Sequence, residues 1–539
     1  MKISGRVVDV HNRTIYDAII IIEKGKILSI GKPEGSVDCY VLPGLIDSHI
    51  HIESSMVTPG AFAVEAVRHG TIGVVSDPHE IANVCGIKGI DFMIKDAEKV
   101  PLKFFFGAPS CVPATIFETS GAVLDKSDVR KILQRKDIKY LSEIMNFTGV
   151  IYDDDEVHSK ILFAKEIGKP IDGHAPGLTG SNLEKYVSAG ISTDHECSTI
   201  EEALEKISLG MNILVREGSA AKNLNSLKEL YKSHPDSLML CSDDLHPEML
   251  GRGHINKLVA RLIFEGYDVF DVIRSATVNP VQHYNIDVGL LRVGDSADLI
   301  VVDNLYSMNV LETWISGEKV YDRGNVSFKA DRGSLINNFN CSYISLEDVR
   351  ILNQGNKMRI IEAFNGELIT KELIASTGSA KNLMSDTIAD YLKIIVKDRY
   401  NDSPPFSGFI KGFNLKRGAF ASSVAHDSHN IICVGTNDNE IIAAVNSIVD
   451  MKGGLSVACE NEIFSLKLDI AGLMTSNSCR ETALEYGKLN EMVRNMGCTM
   501  TAPFMTLAFM ALLVIPDLKI GDKGLFDVNK FELVPLFIK

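Results

Sequence analysis

The sequence has no apolar stretch of bilayer-spanning length. The longest, Ala502 to Ile515, ends at Pro516 and is predicted as a buried helix, so no membrane partner is expected. No C-x-x-C pair occurs among the ten cysteines, which are scattered from Cys39 to Cys498. That spacing points to reduced thiols in a cytoplasmic protein, mostly buried as small hydrophobes. The opening MKISGRVVDV goes straight into strand-like alternation without the long apolar region of a signal peptide, which fits the same compartment. No Lys/Arg-rich block offsets the formal net charge of −15, so nucleic acid and anionic membrane are excluded as partners and a small neutral or cationic substrate fits better. Internal repeats and low-complexity linkers are also lacking.

What is present reads as a globular chain of two or three domains: 539 residues, 45% hydrophobic and 23% charged. The organising stretch is Val41 to Ser55, VLPGLIDSHIHIESS. After a Pro-Gly turn, Asp47, His49 and His51 alternate with Ile46, Ile50 and Ile52. Alternate residues of a strand share a face, so both histidines can meet one cation without bending the backbone. An H-x-H pair alone is equally compatible with two hydrogen-bonded core histidines.

Residues 1–42 read as short strands. From there to about residue 284, eight apolar runs alternate with amphipathic stretches: LIDSHIHI, GTIGVVSDPHE, LKFFFGAPS, KYLSEIMNF, KPIDGHAPG, GISTDHECS, MNILVREGS and LMLCSDDLHP. The pattern suits a parallel sheet, either open or closed. Polar residues decide between the two. His49, His51, Glu143, His174, His195 and Asp243 lie toward the C-terminal ends of runs one, four, five, six and eight, and only a closed barrel brings all of those ends to one mouth. The expected architecture is α/β: a TIM-like (β/α)8 barrel over 43–284, a small composite β-sandwich domain from 1–42 and 285–335, and an additional C-terminal α/β domain over 336–539. In that last region SDTIADYLKIIVKD and NDNEIIAAVNSIVDM are predicted as helices, and SGFIKGF, HNIICVGT and GLSVA as strands.

The six polar groups make a coherent two-metal site. One divalent ion takes His49, His51 and Asp243, the other His174 and His195, and Glu143 bridges them. Such ions lower the pKa of a shared water enough to supply hydroxide at neutral pH. Either of His174 and His195 alone could be a satisfied core histidine; their joint placement at equivalent strand ends favours the metal. Asp243 competes with Asp244, which strand alternation would point to the other face.

PGLIDSHIH, the later histidines, the aspartate of SDD, the ATVNP segment and GDSADLIVVD together resemble the metal-dependent amidohydrolase superfamily. Within it, HIESSMVTP, VVSDPHEIANVCG, LSEIMNF, DGHAPGL, STDHE and the C-terminal GFIKGFNLKRGAFASSVAHDSHNIICVGTND are similar to the bacterial and archaeal adenine deaminase family. Many superfamily members bridge their metals with a carboxylated lysine; here Glu143 takes that place, and Lys139 sits too early in its run to do so. The resemblance implies manganese or ferrous iron, although the ligand set permits zinc equally well. It implies hydrolysis of adenine to hypoxanthine and ammonia by metal-bound hydroxide, and leaves room for a homodimer. Asp243, beside the nucleophile, would move the water's proton to the leaving amine. A second acid must protonate the ring, and Glu53, Asp244, Glu80 and Glu217 are candidates. His79, after Asp77 and Pro78, and the cluster of Ser422, Ser423, His426 and His429 are further substrate-side candidates; the cluster reads either as surface loop or as a lid.

Three alternatives stand beside this reading. The H-x-E and P-C-x-x-C deaminase pattern is met by His51-Ile52-Glu53 but fails after Pro109-Ser110-Cys111, where the second cysteine is missing. An amidohydrolase acting on another cyclic amide or N-acyl compound would use the same ligands. A binding protein built on a dead barrel should show a broken ligand set, and this one is complete.

Overall fold

Eight short apolar segments form parallel strands because both of their faces are covered, leaving no polar alternation to satisfy. A computed structural model describes residues 1–33, 35–331 and 334–538. β1 (Lys2–Asp9), β2 (Thr14–Glu23), β3 (Lys26–Gly31) and β4 (Tyr40–Pro43) precede the barrel. The barrel strands are β5 (Leu45–Ile50), β6 (Thr71–Ser76), β7 (Lys103–Ala108), β8 (Ile138–Ile144), β9 (Ile171–Gly173), β10 (Thr193–Asp194), β11 (Asn212–Arg216) and β12 (Leu238–Cys241). β5 to β9 pair in sequence order, as do β10 to β12. Two contacts join these arcs into a ring. Ser192 N donates to Ile171 O at 2.9 Å between β9 and β10, and Asp243 N donates to His49 O at 2.9 Å just past β12, closing on β5. The barrel expectation therefore holds.

β13 (Leu299–Val302), β14 (Val310–Ile315), β15 (Glu318–Asp322) and β16 (Asn325–Val326) return to the N-terminal strands. They join them in one eight-stranded sheet, ordered β16-β15-β14-β13-β4-β1-β2-β3. Its core takes Ile3, Val7, Ile20 and Ile22 from one end of the chain and Leu299, Val301 and Trp314 from the other. Neither segment could bury a sheet face alone.

The C-terminal region is built on a nine-stranded, largely antiparallel sheet. NDNEIIAAVNSIVDM is a helix as predicted, Asp438–Met451, with Asn437 Oδ1 capping Glu440 N at 3.0 Å. SDTIADYLKIIVKD is not a helix. Asp386 accepts Ile388 N at 2.9 Å and Ala389 N at 3.1 Å, a local turn that competes with helix, and Leu392–Lys397 then pairs on both sides as a central strand. The apolar run from Ala502 is helical only over Pro503–Phe509 and stays buried to Ile515. No helix among the described residues is long and apolar enough to cross a membrane.

Candidate metal centre

His49 is the last residue but one of β5, with His51 just beyond the strand; Glu143 lies in β8, and His174, His195 and Asp243 follow β9, β10 and β12. All six are buried at the C-terminal mouth of the barrel. Glu143 divides its two oxygens. Oε1 faces His51 Nε2 at 3.2 Å and His49 Nε2 at 3.9 Å, while Oε2 faces His174 Nδ1 at 2.8 Å and His195 Nε2 at 3.2 Å. Asp243 Oδ1 lies 3.3 Å from His51 Nε2 and 3.8 Å from His49 Nε2.

These groups fit divalent cations. Donors bound at about 2.1 Å to one ion stand roughly 3.0–3.4 Å apart, close to the spacing of several pairs here. His174 Nδ1 and His195 Nε2 approach to 3.2 Å, with His49 stacked on His195 at a centroid distance of 4.3 Å. Both ring nitrogens of His49, His174 Nε2 and His195 Nδ1 are buried without hydrogen-bond partners, which a metal or a water in the site would supply. Burial and the neighbouring His195 and His51 hold the His49 imidazole neutral, the state a ligand needs. Burial works to raise the Glu143 carboxyl, but the surrounding imidazoles, His195 foremost, outweigh it and keep the group ionised.

Sequence reasoning missed Glu196 and Arg216. Arg216 Nη1 and Nη2 reach Glu196 Oε1 and Oε2 at 2.6 and 2.8 Å, and Nη1 also reaches Asp243 Oδ2 at 2.5 Å. Burial opposes ionisation of Asp243, and Arg216 more than offsets it, holding the carboxyl well below the usual range. The usable signal was strand alternation in MNILVREGS, which lets only one of Arg216 and Glu217 face inward. Glu217 faces out, 3.8 Å from both Lys222 Nζ and Arg261 Nη1, and does not reach the centre.

The other candidates divide. Glu53 is buried on the turn after β5, where its Oε1 accepts Ile81 N at 3.2 Å, and it does not line the mouth cavity. Asp244 does line it, contrary to simple alternation, because Asp243 adopts φ 56° and ends the strand geometry. Ser54 Oγ donates to Asp244 Oδ1 at 2.5 Å and lies 3.3 Å from Glu80 Oε1. Burial, then Asp244 and Glu53, push the Glu80 carboxyl well above its usual range, so it keeps its proton. His79 Nδ1 lies 3.0 Å from Asp77 Oδ2 and 3.7 Å from Glu143 Oε1, so Asp77 supports His79; the helix His79–Cys85 has no side-chain cap.

The Ser422 to His429 segment roofs the cavity with His426 and Asp427, while its Ser422 Oγ and Ser423 Oγ donate to Val424 O and Gly472 O instead. All four polar candidates in it are buried; His426 Nδ1 lies 3.4 Å from Glu80 Oε1, and Asp427 Oδ1 3.7 Å from His79 Nε2. Phe509 stacks on His426 at 4.6 Å and 14°, and with Leu368 and Leu512 completes the cavity wall. Lys139 is out of the way, its Nζ donating to Lys136 O at 3.1 Å on the surface.

Residues 40–320 match the amidohydrolase family, and residues 367–532 match the adenine deaminase C-terminal domain. An adenine deaminase of Methanosarcina barkeri is 52% identical over 543 residues, covering 99% of this chain and 98% of that one. One from Methanosarcina mazei is 51% identical over 550 residues, covering 99% of each chain, and one from Parabacteroides distasonis is 46% identical over 542 residues, covering 100% of this chain and 99% of that one. With six ligand-competent groups at one barrel mouth and both family matches in place, the chain belongs to the amidohydrolase family and, within it, to the adenine deaminases.

Proposed function

We propose that the protein hydrolyses adenine to hypoxanthine and ammonia, with His49, His51, Glu143, His174, His195 and Asp243 holding two divalent cations. The observation that carries the reading is the division of Glu143 between two sets of histidines beneath a roof that falls within the stretch matching the adenine deaminase C-terminal domain. Manganese or ferrous iron suits this oxygen and imidazole set, and zinc is compatible with it. Bound there, divalent cations acidify water and so make a nucleophile available near neutral pH.

The chain's own groups do the rest. Asp243, ionised by its contact with Arg216, takes the water's proton and passes it to the departing amine. Glu80, kept protonated, protonates a ring nitrogen as aromaticity is lost and takes back the remaining hydroxyl proton as the C6 carbonyl forms and ammonia leaves, with Asp244 and Ser54 orienting it. His79, held by Asp77, and His426 supply polar edges to the purine, while Phe509, Leu368 and Leu512 exclude bulk water.

The test is turnover by manganese-loaded protein. Conversion of adenine should be visible as the ultraviolet change to hypoxanthine, and hydantoin and dihydroorotate should be untouched. Faster turnover of either cyclic amide would replace this reading.

A further inference from the structure

A second cavity, of about 190 Å³, lies beside the barrel mouth between the segment after β11 and the helix Ile255–Phe264. The reaction proposed above leaves it unused. Leu224, Leu245, Met249 and Leu258 give it apolar walls. Its lining carries four cations, Lys222, Arg252, Lys257 and Arg261, against the single carboxylate of Glu217. In a chain of net charge −15 this is a local reversal of sign. Arg261 is paired with Glu265 outside the lining, Nε to Oε1 at 2.9 Å, and Glu217 lies 3.8 Å from both Lys222 and Arg261, so the excess positive charge rests on Lys222, Arg252 and Lys257. Lys257 Nζ meets the neutral oxygens of Ser307 and Asn309 at 3.4 and 3.5 Å.

The floor of the cavity is wired to the metal ligands. Ser242 and His254 both line it and both bond the buried Asp47, with His254 Nε2 at 2.8 Å from Oδ2 and Ser242 Oγ on the same oxygen. Asp47 Oδ1 accepts Ser242 N at 3.0 Å and His49 N at 3.3 Å. Ser242 and His254 thus stand one residue, Asp47, away from the His49 backbone, and Ser242 directly precedes Asp243.

We propose that this cavity binds a small organic anion, a carboxylate or phosphate on an apolar body, and that its occupancy alters turnover through Ser242, His254 and Asp47. The cations supply charge-assisted hydrogen bonds to the anionic head. The leucines and Met249 take the apolar body. Glu217 Oε1, which lacks a hydrogen-bond partner, is open to a donor group on the ligand.

Calorimetry on the full-length, manganese-loaded protein would test this with phenyl phosphate and phenylacetate as the two anions, and benzyl alcohol and benzylamine as neutral and cationic controls. One anion should bind per chain, persist in saturating hypoxanthine, and change kcat for adenine at least twofold. The double variant Arg252→Ala/Lys257→Ala and the cavity-filling Met249→Trp should each weaken binding at least tenfold while unliganded turnover stays near that of the parent. Preference for phosphate over carboxylate would identify the head group. Absence of binding at millimolar anion, displacement by hypoxanthine, equal binding of benzylamine, or full affinity in both variants would overturn the site. Binding without any change in kcat would overturn the coupling.

Discussion

Arg216 bonds Asp243 and Glu196 at once, its Nη1 lying 2.5 Å from Asp243 Oδ2 and 2.6 Å from Glu196 Oε1. The guanidinium fork fixes the carboxylate proposed to move the proton. Arg216→Lys keeps the charge and loses the two-pronged geometry, so kcat for adenine should fall about 10- to 100-fold with metal content retained. Arg216→Met leaves two buried carboxylates uncompensated and should cost roughly 3–5 kcal/mol in stability. Steady-state kinetics, metal analysis and denaturant unfolding check both.

Glu143 and Asp243 should separate by readout. Glu143→Gln removes charge from the group between both histidine sets, so metal content and activity should drop together. Asp243→Asn should lower kcat by about 10²- to 10⁴-fold while losing less of the metal. Unchanged turnover in Asp243→Asn would sink its role in proton transfer.

Glu80→Gln preserves shape and hydrogen bonding but has no proton to give. Turnover should fall about 10²-fold or more with KM little changed, a split readable in one substrate titration. A KM effect alone would make Glu80 a binding group.

The roof is open to a similar test at Phe509, which is buried and stacked on His426. Phe509→Ala removes that stack and admits water, so KM for adenine should rise about tenfold, consistent with an aromatic contact of roughly 0.5–1.5 kcal/mol. Folding is checked by unchanged metal content.

Glu118 should make stability depend on pH. Its buried carboxyl accepts Thr115 N at 3.1 Å, and burial, with Asp427 adding to it, pushes its pKa up to about 8. The unfolded chain loses this proton near the ordinary 4.5 and the folded chain holds it to about 8. The stabilisation is complete at acid pH, declines as pH rises through that window, and is gone above it, a loss on the order of a few kcal/mol. Glu118→Gln should flatten the fall in unfolding free energy between pH 5 and pH 9; an unaltered slope would contradict this.

The barrel and the meeting of the six polar residues at its mouth were legible in the sequence because period and chemistry agree there. Fully apolar runs ended in His or acidic residues, and only a ring brings ends so far apart in the chain together. Arg216 was hidden by its neighbour: Glu217 offered the expected chemistry on the wrong face of β11. Asp244 was misdirected by a rule that stops holding where Asp243 turns to φ 56°. Helical propensity in SDTIADYL lost to the Asp386 turn and to the pairing of Leu392–Lys397. The position of His426 and Phe509 over the mouth depends on how a distant sheet docks, which no local pattern encodes.

The bond from Asp243 N to His49 O joins the last stave of the cylinder to the first, and both residues belong to the proposed cation-binding set. If those residues hold the cations, loading and hoop closure are coupled: chelation should loosen that joint before it loosens the opposite wall, and amide exchange along β5 and β12 should register it first.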